Sequence, residues 1–247
     1  MVIHSLNLNE GGGVIPKTDV SAPEKDASVI IGIGGTGVDT IKILKKKIYS
    51  QLEPSNPGEA VPRYENISLI AIDSDEFSIG DTNSVTDISK NSEFISLKTT
   101  ALAALLDPNS PVGLPSLKTN PVYNKWMSID QIKPLLAEAG AGGIRQMGRF
   151  MLLQHAQEVY EKIRSAIYSA MEGMDSSGQV NIHIVAGISG GTGSGCFIDT
   201  CYLVRQVMEK NGWGGKIFGY FYLPDVVISK AAVAADPTKS HLNRRNR

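Results

Sequence analysis

A doubly wound α/β fold with a mostly parallel sheet is what this sequence predicts, and three observations carry the expectation. Short apolar runs at 28–33, 67–73, 181–187 and 216–223 alternate with amphipathic stretches at 36–51, about 145–171 and 196–210. That order is the one in which helices form the crossovers of a parallel sheet. The strand-like runs are apolar throughout, as in a sheet covered on both faces. Finally, glycine-rich loops open three of the helices.

The first run, Ser28 to Ile31, is short and β-branched, and it enters the loop Gly32-Ile33-Gly34-Gly35-Thr36-Gly37. The helix that follows places Val38, Ile41, Leu44 and Ile48 on one face and Lys42, Lys45, Lys46 and Lys47 largely on the other. A polar stretch from Glu53 to Glu65 precedes the second strand, which delivers Asp73, Ser74 and Asp75. The region 77–139 reads as an irregular insertion, with a short strand at 93–97 and helices at 101–106 and 129–139. Pro108, Pro111, Pro115 and Pro121 break its middle. Insertions of this kind carry specificity or partner contacts, so an unidentified partner is expected there. Gly140-Ala141-Gly142-Gly143 then opens a long helix with Leu152, Leu153, Ala156, Tyr160, Ile163 and Ile167 inward.

At 247 residues, 42% hydrophobic and 20% charged, the chain suits one large domain with a substantial core. Residues 1–26 contain Gly11-Gly12-Gly13 and two prolines and read as a mobile N-terminal arm; 27–247 form the domain. A net charge of −1 gives no electrostatic footprint for nucleic acid. No run of 18 apolar residues and no apolar leader is present, so neither a membrane segment nor a secretory signal is expected. Cys196 and Cys201, five apart on one helix, suit neither a disulfide nor a zinc site, which favours a reducing, cytoplasmic compartment. His4, His155, His183 and His241 form no ligand spacing, and His183 reads as a core residue of an apolar strand.

The stretch Ser189-Gly190-Gly191-Thr192-Gly193-Ser194-Gly195 lies between the strand 181–187 and the helix 196–210. Amide groups at a helix start have no internal partner, and the helix dipole adds positive charge there, so an anion satisfies both. Four glycines in seven residues open the backbone to phosphate oxygens, and Thr192 and Ser194 offer hydroxyl donors. The loop is not a Walker A motif, because Cys196 and Phe197 stand where its Lys and Ser/Thr belong. A nucleotide held here depends on backbone amides and on a metal ion. A bulky residue at Gly191 or Gly193 is expected to remove binding and spare the fold. Gly32-x-Gly34-x-x-Gly37 also fits a dinucleotide fingerprint, although Asp73 comes much later than the about 20 residues such a site requires. In a 3-2-1-4-5-6 sheet the first and fourth strands are neighbours, and the loops at Gly32 and Gly190 then meet at one switch point.

These residues resemble the tubulin and FtsZ superfamily of GTPases. Gly190-Gly191-Thr192-Gly193-Ser194-Gly195 matches its most specific loop without a mismatch, and Gly32 through Gly37 looks like the N-terminal glycine loop of FtsZ. By the resemblance, Asp73-Ser74-Asp75 lies near magnesium-bound phosphates, and Gly140 through Arg149 faces the γ-phosphate, with Arg149 or Arg145 offsetting its charge. Pro224 and Asp225 would sit at the ribose, and Asn243 or Asn246 would read the guanine edge. The likeness covers residues 27–247 and looks closest to divergent bacterial tubulin-like proteins. It implies GTP or GDP with Mg²⁺ as cofactors and self-association into a filament. Gln146 stands where FtsZ has an acid. The family's central helix, its acid-bearing loop and its C-terminal domain have no counterpart here, so hydrolysis is expected to need a loop absent from this sequence. Two other readings stand beside this one: an NAD-dependent Rossmann oxidoreductase, and a nucleotide-binding scaffold that does not hydrolyse.

Overall fold

The computed structural model describes residues 26–49, 66–80, 82, 84–98, 109–110, 113–128, 141–172, 174 and 179–223. Its strands are β1 (Ala27–Ile33), β2 (Ile67–Asp73), β3 (Phe94–Ser96), β4 (Val180–Gly187) and β5 (Gly215–Tyr222). They form a single parallel sheet in the order β3-β2-β1-β4-β5, the doubly wound order expected. β1 lies between β2 and β4, with Ile31 opposite both Ile70 and Ile184.

Burial on both faces explains why the strands are apolar throughout. On one face, α1 (Gly34–Tyr49) sets Val38 and Ile41 against Leu69, Ala71, Ile79, Ile88 and Phe94. On the other lie α3 (Arg145–Gln154), α4 (Ala156–Met171) and α5 (Gly191–Asn211), which follow the short helix α2 (Leu114–Thr119). Phe150, Ile163, Ile167, Cys196 and Val204 pack there on Ile31, Ile33, Ile72 and Ile184. Among the described residues no helix is long and apolar enough to cross a membrane.

Several local expectations are corrected. The helix expected at 196–210 begins at Gly191, so the last five residues of its glycine motif are helical. Glycine's low helix propensity hides this, and tertiary packing overrides it. The helix expected over 145–171 is two helices, broken at His155 (φ −105°, ψ 11°). The His155 N–H turns back to the carbonyls of Leu152 and Met151, while its own carbonyl accepts from Val159 N and starts α4. His183 is half-buried rather than core: its ring stacks on Phe218 at 5.2 Å, and Nδ1 lies 3.2 Å from the Tyr220 hydroxyl. Burial lowers its pKa. Within the insertion, β3 falls inside the strand expected at 93–97, and α2 forms where the prolines suggested irregular chain. The expected helices at 101–106 and 129–139, and the arm apart from Asp26, lie outside the described residues.

A further correction concerns the lysine face of α1. Lys45 is buried, with its ammonium 2.6 Å from Glu93 Oε2 and donating to the Asp87 carbonyl. Lys42 donates to the Ser78 carbonyl at 3.0 Å. These two side chains fasten the chain that follows β2 onto α1. Removing one member of a buried pair strands the other charge, which costs about 3 kcal/mol or more. Lys45→Ala is therefore expected to lower unfolding free energy by about 3 kcal/mol in urea titration. A loss below about 1 kcal/mol would show that the pair does not hold this segment.

Candidate functional site

Strand β1 passes into α1 with no residue between them. Gly34 makes that corner at φ +71°, a backbone conformation that L side chains rarely adopt. Three residues after β4, α5 begins at Gly191. Because β1 and β4 are neighbours and their helices lie on opposite faces, the two helix starts meet beyond the carboxyl ends of the strands. A Cβ on Gly34 would stand 2.7 Å from Gly193 N, so the helices touch backbone to backbone. The expected convergence of the Gly32 and Gly190 loops is thus present.

Two further segments join this point. Asp73 ends β2, and Asp73, Ser74 and Thr192 are all buried. Ser74 Oγ lies 2.7 Å from Thr192 Oγ1 and accepts the Ala141 N–H at 3.2 Å. A single serine hydroxyl therefore connects the loop after β2, the loop before α3 and the first turn of α5. Ala141 and Ile144 also line Gly191 closely, and the turn between them carries Gly142 and Gly143 at positive φ.

Packing accounts for several of the glycines read as phosphate-facing. A Cβ on Gly191 would stand 2.8 Å from both Ala141 Cβ and Ile144 N, and one on Gly193 would meet the carbonyls of Gly187 and Ile33. Gly148 packs in the same manner on Gly191, which brings α3 onto α5 at backbone distance. The expectation that bulky residues at Gly191 and Gly193 spare the fold is therefore corrected, since no side chain fits there without shifting backbone. Gly190 is different: it is extended (φ −81°, ψ 176°), and a Cβ there meets nothing within 4 Å. Gly35 is exposed, and a Cβ on it would approach only Asp73 Oδ2, at 4.0 Å.

Hydroxyl and charged groups are also redistributed. Ser194 Oγ donates to the Gly190 carbonyl one turn back, and Thr192 is paired with Ser74. Thr36 is half-buried near Gly187, and its carbonyl accepts from Thr40 Oγ1. Ser189 is fully buried. Arg149, expected beside phosphate, instead grips Asp199 of α5 in a bidentate pair at 2.7 and 3.1 Å and lies 4.7 Å over the Trp126 ring. Gln146 accepts from Ser128 N, so the segment around Trp126 docks on α3 at two points. Asp75 caps the short turn Glu76–Ile79 by accepting from Phe77 N. Cys196 donates to the Gly148 carbonyl, and burial raises the pKa of its thiol, as it does for Cys201, so neither has the thiolate character of a nucleophile. Gly140, Pro224, Asp225, Asn243 and Asn246 lie outside the described residues.

Asp73 is the acid that faces the converging loops. Burial raises its pKa, an effect partly offset by the N–H groups of Asp75 and Ser74, which donate to Oδ1. A buried carboxylate near the exposed Gly35 at the start of α1 fits a divalent cation that also takes phosphate oxygens and water, the usual manner of Mg²⁺. Among the described residues no cluster of three His, Cys, Asp or Glu is arranged to hold a metal without such help. Folded chain holds the Asp73 proton more tightly than unfolded chain, so its contribution to stability falls as pH rises from the ordinary aspartate pKa through the raised one. Asp73→Asn keeps the acceptor for both N–H groups and removes the buried charge. It is expected to raise the ligand-free Tm at pH 7 by about 2–4 °C and to flatten the acid-side pH dependence. An unchanged or lowered Tm would contradict a cost from that charge.

A family model described as tubulin-like matches residues 29–242. Solved structures similar to the chain include CetZ1 from Haloferax volcanii, a GDP-bound monomer, at 13% identity over 89% of this chain and 46% of that one (TM-score 0.44). They also include CetZ2 from the same organism, a GTPγS-bound protofilament, at 14% identity over 89% of this chain and 56% of that one (TM-score 0.38). The chain thus spans about half the length of each. No curated protein matches it. With a family match that runs from β1 past the end of β5, the chain belongs to the tubulin-like family.

Proposed function

We propose that this chain is the guanine-nucleotide-binding module of a tubulin-like GTPase. The observation that carries the reading is the meeting of two helix N-termini, α1 and α5, with the loops after β2 and before α3, at the carboxyl edge of β1 and β4. Amides of the Gly190 loop and of Gly35 and Thr36 would take the phosphates, aided by both helix dipoles. Asp73 and a phosphate oxygen would share Mg²⁺, which neutralises negative charge on the polyphosphate when bound. Asp75 orders the turn beside it through the cap on Phe77 N.

Arg149 serves this site by position: its pair with Asp199 locks α3 against α5 and so holds the Ala141 to Gly143 turn over Gly191. Hydrolysis in this reading is completed by an acid-bearing segment outside the four that converge here, brought in by self-association.

Thermal-shift measurement with GTP, GDP, ATP and NAD, each with Mg²⁺ at about 100 times the dissociation constant, tests the assignment. Guanine nucleotides are expected to stabilise by about 2.7 kcal/mol, or roughly 5–10 °C for a domain of this size. Stabilisation by NAD instead would favour the oxidoreductase reading, and by none of them the scaffold. Gly190→Ala is expected to leave the ligand-free Tm within about 1 °C and to weaken GDP at least tenfold, because its new methyl group has room in the protein. Undiminished affinity would remove this loop from the site.

A further inference from the structure

The Ser74–Thr192 pair has a proton to spare, and the contact from Ala141 decides which hydroxyl keeps it. Each hydroxyl has one proton to give and two lone pairs to accept with. The link between them, at 2.7 Å, uses one of the two protons. Ser74 Oγ already accepts the Ala141 N–H. A hydroxyl that accepts becomes a stronger donor, so the favoured arrangement runs from Ala141 N–H to Ser74 and from Ser74 O–H to Thr192. Thr192 then retains its own proton, at the second residue of α5, beside the amides that lack helical partners.

We propose that Ser74 is a positioning residue that orients the Thr192 hydroxyl as a donor to the bound phosphate. The inference rests on the nucleotide-binding reading above. It gives the loop before α3 a defined influence on the phosphate cradle: the Ala141 amide is the far end of a relay that runs through Ser74 to Thr192. All three groups are buried, so water is poorly placed to substitute for a missing member.

A double-mutant cycle in binding tests it. GDP and GTP affinities with Mg²⁺ are measured by calorimetry for the wild-type chain, Ser74→Ala, Thr192→Val and the double variant, with the ligand-free Tm of each recorded alongside. Thr192→Val is expected to weaken binding about tenfold and Ser74→Ala about fivefold. The double variant is expected to match Thr192→Val within twofold, because Ser74 acts only through Thr192. Thr192→Ser, which keeps the hydroxyl, restores affinity to within about threefold of wild type, and Ser74→Cys serves in place of the alanine variant should that one fold poorly. Multiplicative losses would overturn the relay and leave nucleotide binding intact. Losses of affinity found only in variants whose Tm has fallen would mark Ser74 as structural, which also overturns it. Absence of binding by the wild-type chain would overturn the reading of the site and the relay with it.

Discussion

The contact on which the rest of the structure depends is the one between the first turns of α1 and α5. They start from adjacent parallel strands, lie on opposite faces of the sheet, and touch through backbone at Gly34 and Gly193. A side chain at Gly34 would push the two helix ends apart, and one at Gly193 would drive α5 off the carbonyls of Gly187 and Ile33. Separation would divide one electropositive focus into two weaker ones, because a helix end acts over roughly its first turn only. Gly34 is further restricted by its left-handed conformation, which turns β1 into α1 without an intervening residue. The sequence economy of the motif follows: glycines sit where main chain must approach main chain, and the open positions, Gly35 and Gly190, are few.

Around that contact polar links add to the packing of the core on both faces of the sheet. Arg149 with Asp199 ties α3 to α5, while Arg149 over Trp126, Gln146 with Ser128 N, and Lys45 with Glu93 and Asp87 tie peripheral segments to helices that start near the site. Asp73 works in the opposite sense. Its burial disfavours the charged form, so the ligand-free site holds a group at odds with its surroundings. A divalent cation shared with phosphate, as proposed above, would relieve that conflict.

Much of this was legible in the sequence. The apolar runs from Ser28 and Asn181 mark β1 and β4, and the doubly wound order sets them side by side, which brings the two glycine loops together. What stayed hidden was set by tertiary contact. A glycine open to solvent and a glycine packed on a carbonyl read alike, so the sequence does not show that the side-chain space at Gly191 and Gly193 is filled by Ala141, Ile144, Gly187 and Ile33. Arg149 showed its charge but not its partner Asp199, fifty residues away on another helix. Lys45 lay on the polar side of α1 by periodicity, and only the return of the chain through Asp87 and Glu93 buries it. The one advance sign was Gly148, a small residue inside a helix, which marks close helix approach.

Hydrogen–deuterium exchange with and without GDP and Mg²⁺ tests whether the four segments form one phosphate cradle, because it reports each segment separately in the unmodified chain. Amides of 34–37, 73–75, 141–144 and 189–195 are expected to gain protection together and at the same ligand concentration. Protection confined to one of these segments, or gained at another surface, would contradict the claim that they form one phosphate cradle.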